Sequence, residues 1–131
     1  MDTNNEQSVK NAVKALDIAV EFVNGNWDKV RRGQNSGASE DPVKTQSFVS
    51  DDPESGRRLV KKITDKVVKP DASDDTLNYT RVRIGIREDG GCLFEAGVND
   101  NGFYVSVHES MFADRRYGSI VREQWKESIW R

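Results

Sequence analysis

The sequence predicts an α+β fold: two N-terminal helices, a three-stranded antiparallel β-meander and a C-terminal helix. Three observations lead to it. From Tyr79 to Ser110 apolar and polar residues alternate at the two-residue period of half-buried strands, cut twice by glycine-containing turns. Upstream, Val9, Val13, Leu16, Val20 and Val23 recur at spacings of four and three, which puts them on one side of a helix. Between these stretches, Asp52-Pro53-Glu54 has the chemistry of a helix start: a side-chain acceptor, a residue with a preset φ, then an acid at the positive end of the dipole.

At 131 residues the chain has the length of one domain. Charged residues make up 32% and apolar residues 35%, which suits a compact core carrying solvated segments. The expected organisation is an N-terminal helix over 1–32, serving the core or oligomerisation, a flexible linker over 33–52, and an α-βββ-α core over 53–131 that forms one domain with the first helix. A single cysteine cannot close an intrachain disulfide, and nothing resembles a signal peptide or a membrane-spanning run, so a cytoplasmic location is expected.

In the first element Ser8 is an acceptable cap, and Trp27 and Val30 continue the apolar series past Val23. Asn24-Gly25-Asn26 interrupts it, so one helix is expected to about Val23, with a second short turn restarting near Trp27. Ala12, Ile18, Ala19 and Phe22 widen the stripe enough to cover a sheet. Because the repeat holds for about three heptads, Val13, Leu16, Val20, Val23 and Trp27 are also candidates for packing against a second subunit, with a dimer favoured.

Residues 33–52 are rich in Gly, Ser, Asp and Gln without periodicity and read as the linker. The second helix, from Pro53 to about Lys69, has Leu59, Val60, Ile63 and Val67 inside, while Arg57, Arg58, Lys61 and Lys62 could meet an anionic ligand. Its segment 57–69 holds six basic residues and one acid, but acidic stretches flank it on both sides, so the basic run alone does not specify nucleic acid.

In the meander, a register that keeps every apolar set on one face pairs Ile86 with Phe94, Ile84 with Ala96 and Val82 with Val98 across an Asp89-Gly90-Gly91 loop. The second hairpin then pairs Val98 with Phe103, Ala96 with Val105 and Phe94 with Val107. Cys92 falls on the inner face. The outer face collects Arg83, Gly97 and Tyr104 in one row, Gly85, Glu95 and Ser106 in another, and Arg87, Leu93 and His108 in a third. After the meander, Asp114 to Gly118 reads as a turn and Ser119 as the cap of a last helix with Val121, Trp125 and Ile129 along one stripe.

These residues bound the chemistry. One cysteine and one histidine cannot build a structural zinc site, Gly90-Gly91 sits in a hairpin rather than before a helix, and the register separates Cys92 from His108, so neither metal, cofactor nor catalytic residues are expected. The expected function is that of a non-enzymatic protein-binding module, an adaptor or small inhibitor, that self-associates through its helices. Its contact residues would be Arg81, Arg83, Arg87, Glu95, Tyr104 and His108, since exposed arginine and tyrosine are enriched at interaction hot spots. The alternative is a nucleic-acid-binding protein using the same face together with the basic second helix.

Overall fold

A computed structural model describes residues 6–25, 30–33, 45–50, 52–69, 78–100 and 102–129. Helices and an antiparallel sheet follow one another as α1 (Glu6–Asn24), β1 (Val30–Gly33), β2 (Thr45–Ser50), α2 (Pro53–Ile63) with a π-helical continuation (Thr64–Val68), β3 (Arg81–Ile86), β4 (Cys92–Asn99), β5 (Gly102–His108), α3 (Glu109–Phe112) and α4 (Gly118–Ile129). The class is α+β, as expected, but the sheet has five strands in the order β1-β2-β5-β4-β3, all antiparallel.

The two added strands fall at the end of the segment 1–32 read as helix and inside the segment 33–52 read as linker, and correct both at these positions. Thr45–Ser50 pairs residue for residue with β5, from Thr45 opposite His108 to Ser50 opposite Phe103, and Val30–Gly33 pairs with β2. The physical reason is on β5. A meander ending there would leave one whole side of β5 with unmet backbone donors and acceptors, and a neighbouring strand satisfies them whatever its side chains. The helical restart near Trp27 lies outside the described residues.

The first helix begins at Glu6 instead of at a Ser8 cap and stops where Gly25 donates back to Glu21 and Phe22. Its stripe is spent inside the chain: Leu16, Val20 and Val23 are buried in the core with Val9, Ala12 and Ala19, and Val13 is half-buried against it. That leaves Leu16, Val20 and Val23 no surface for a second subunit, and Phe22 packs edge-on to Phe103 with ring centres 6.1 Å apart. At α2 the start reads as predicted, since the Asp52 carboxylate accepts from Glu54 N at 3.2 Å and Ser55 N at 3.4 Å. Leu59, Val60 and Ile63 face the sheet, and Gly56 lets the helix approach so closely that an added Cβ would collide with Phe103.

In the first hairpin the loop has the predicted length but sits one residue earlier. Arg87 N donates to Gly91 O at 2.6 Å, Gly90 N to Arg87 O at 3.0 Å, and Gly90 takes the positive φ of 89°. Moving a loop by one residue moves every pairing by two, so Ile84 meets Phe94, Val82 meets Ala96 and Arg83 meets Glu95. A shift of two preserves the faces, which is why Val82, Ile84, Phe94 and Ala96 still lie in the core, whereas Ile86, expected beside them, is 46% exposed. The second hairpin pairs as predicted: Val98 with Phe103, Ala96 with Val105, Phe94 with Val107.

One core gathers these parts. Side chains of α1, α2 and α4 bury Val82, Ile84, Phe94, Ala96, Phe103 and Val105, so the described helices lie on one face of the sheet. The C-terminal turn is held by Asp114, whose carboxylate accepts from Arg116 N at 2.8 Å and Tyr117 N at 2.9 Å. Ser119 is therefore inside α4 and not its cap. Trp125 is buried edge-on to Phe112 at 6.0 Å, and Gln124 reaches Asp17 of α1 at 3.0 Å.

Candidate functional site

The face turned away from the helices brings together most of the residues singled out above. Its rows are Ser106, Glu95 and Arg83, then Tyr104, Gly97 and Arg81. Arg83 thus stands beside Glu95 rather than Gly97, and Arg81 takes its expected place opposite Gly97. The gain is an ion pair: Arg83 Nε lies 3.7 Å from Glu95 Oε1, while the same guanidinium donates to Gly90 O at 2.8 Å.

Tyr104 is fixed from two sides. Its hydroxyl donates to Glu95 Oε2 at 2.5 Å, a charge-assisted bond. Its ring lies across Gly97, where any Cβ would come within 2.6 Å of Cζ. Burial, reinforced by the Glu95 carboxylate, pushes the phenol well above its ordinary pKa. Gly97 was not among the expected contact residues, although a glycine inside a strand is a known signal of close approach by another group.

Cys92 departs from the predicted pattern. It is buried, but its Sγ lies 3.5 Å from Glu95 Oε1, on the side of the acid, while Leu93 joins the core cluster. Alternation breaks at this point because Gly85 on β3, with a φ of 72°, bends into a conformation that side-chain-bearing residues avoid, and Leu93 packs directly over it. Burial first, and the Glu95 charge second, raise the thiol to about 12. Such a thiol is protonated and a poor nucleophile at neutral pH.

His108 also leaves the expected surface. It is buried at the end of β5, where Nδ1 accepts from Ser110 N at 3.1 Å and lies 2.9 Å from Ser110 Oγ, so the ring caps α3. The row that was to join it to Arg87 is displaced by the register: Arg87 N donates to Gly91 O, and its side chain turns to Asp89, with Nε 3.8 Å from Oδ1, a carboxylate whose pKa His108 also lowers. The four basic residues proposed on the second helix are exposed on the far side of the helix layer. Arg58 donates to Ser55 Oγ at 2.8 Å, and Lys61 pairs with Asp65 at 2.9 Å, which raises its pKa. Arg57 and Lys62 are exposed as well.

Among the described residues no three His, Cys, Asp or Glu side chains come together as metal ligands, and no helix is long and apolar enough to cross a membrane. Compared with protein-family models, curated proteins and solved structures, the chain matches none of them. The reading of the site therefore rests on its own geometry.

Proposed function

We propose that the chain is a protein-binding module, an adaptor or small inhibitor, that engages its partner with the open sheet face around Arg81, Arg83 and Tyr104. One observation carries this reading: a face on which no described helix packs has its large polar side chains already locked in place. Arg83 is held by Gly90 and Glu95, and Tyr104 by Glu95 and the bare backbone of Gly97. Side chains immobilised before binding lose less entropy on complex formation, and tyrosine and arginine are the residues that most often dominate an interface. Self-association through Leu16, Val20 and Val23 is left out of this proposal, because those side chains lie in the core.

The test is charge reversal. Arg81→Glu combined with Arg83→Glu is expected to abolish capture of the partner that the wild type retains in a pull-down, with an unchanged far-ultraviolet circular dichroism spectrum. Retained capture by the folded double variant would refute the assignment.

A further inference from the structure

The outer side of β3 offers a second kind of surface. β3 ends the sheet, and among the described residues no strand lies along its free side. Val98 N donates to Thr80 O at 2.9 Å, which makes these two a hydrogen-bonded pair. Counting in twos from Thr80, Val82 and Ile84 turn their backbone groups toward β4, and Arg83 turns its N–H and C=O outward. Directly below Arg83 lies a cleft of about 180 Å³, bounded by Ser8 and Asn11 of α1, Val67 and Val68 of the π-helical turn, and Ile84 and Gly85.

From this we infer that the β3 edge accepts an extended segment of a partner protein as a sixth strand, with residues that alternate between carboxylates and small aliphatics. The alternation follows from the two sides of the edge. Side chains of an added strand that point to the open face come beside Arg81 and Arg83, where an acid is favoured. Those that point the other way meet the cleft, where Val67, Val68 and Ile84 stand beside Ser8 and Asn11, so a small aliphatic side chain finds apolar contact on one side only. The backbone supplies affinity and the alternate side chains supply selectivity, the usual division in strand addition.

A second copy of this chain is a poor occupant, because pairing β3 with β3 sets arginines against arginines, a recognised device against self-pairing of sheet edges. The kink at Gly85 ends the straight part of the edge, so the added strand is short. This site adds the backbone of β3 and the cleft beside it, and it shares Arg81 and Arg83, but not Tyr104, with the open face proposed above.

The experiment uses the full chain, labelled with nitrogen-15, and three capped eight-residue peptides that alternate Asp and Val: the parent, one N-methylated at every Asp and one N-methylated at every Val. Only alternate residues of a strand donate to its neighbour, so one methylated peptide is expected to lose affinity by about tenfold or more while the other keeps it. The Asp set is the sensitive one for an antiparallel strand, the Val set for a parallel one. Saturation with the parent peptide is expected to slow hydrogen exchange at the Arg83 amide by about tenfold.

Three results would overturn the inference: both methylated peptides binding like the parent, exchange at Arg83 unaffected by the parent peptide at 1 mM, or exchange at Arg83 slowing with protein concentration alone. The first means recognition by side-chain charge, the second no strand addition, and the third occupation by another copy. Tyr104→Ala separates the two sites, since it should weaken the partner of the open face and leave peptide affinity unchanged.

Discussion

Gly97→Ala is the sharpest probe of the open face. The new methyl carbon would fall 2.6 Å from Tyr104 Cζ and 2.7 Å from Cε1, well inside van der Waals contact, so the ring must move. Moving it breaks the 2.5 Å bond from the tyrosine hydroxyl to Glu95. A hydrogen bond to a charged group contributes about 1.5–3 kcal/mol, and forcing an extra carbon into a packed site costs about 1–3 kcal/mol. Against these, alanine gains roughly 0.5–1 kcal/mol over glycine through the entropy of the unfolded chain. The net expectation is a loss of about 2–5 kcal/mol, read from urea unfolding at neutral pH with an unchanged m value. Removing the ring removes the collision, so in a Tyr104→Ala background the same substitution should cost at least about 1 kcal/mol less than it does in the wild type. A Gly97→Ala protein within 0.5 kcal/mol of wild type, or strict additivity with Tyr104→Ala, would refute the packing argument; both thresholds are about the precision of such comparisons.

Four further outcomes are expected. Gly56→Ala should destabilise by about 1–3 kcal/mol in spite of alanine's better helix propensity, because its Cβ would meet Phe103 and approach Val98 Cγ2 to 2.9 Å; a higher melting temperature would count against the close α2–sheet contact. Asp52→Ala should cost about 1 kcal/mol of unfolding free energy by removing the acceptor for Glu54 N and Ser55 N, and Asp52→Asn should recover most of it. Cys92, raised from about 9 to about 12 by burial, holds its proton longer in the folded protein than in the unfolded one. Its contribution to stability is therefore full below pH 9 and lost as pH rises toward 12, so Cys92→Ala should flatten the alkaline fall of the unfolding free energy. At pH 8 the native thiol should react with a disulfide reagent only as fast as the chain opens, whereas a prompt native reaction would contradict its burial.

How far the residues alone reached can be followed strand by strand. The meander was legible because Val82 and Ile84, Phe94 and Ala96, and Val105 and Val107 alternate with polar neighbours, and a two-residue period commits a whole strand to its faces. The Asp52 cap was legible because its chemistry is local. Thr45–Ser50 was not, since its place in the sheet comes from backbone pairing with β5, to which side-chain periodicity gives no clue. Register in the first hairpin hung on which of two adjacent glycines took the positive φ; the fold placed it at Gly90 and moved Arg83 from Gly97 to Glu95.

For the site, sequence patterning determined that Arg81, Arg83, Glu95 and Tyr104 share a face, because alternation in a strand permits nothing else once the apolar set is buried. Only the tertiary structure decided what that face is. It withdrew His108 into a helix cap, turned Cys92 toward Glu95 beside the kink at Gly85, buried the α1 stripe in the core and left β3 as the edge strand above a cleft. Each of these depends on contacts between residues distant along the chain, and local periodicity holds no information about which distant partner a side chain or a strand edge will meet.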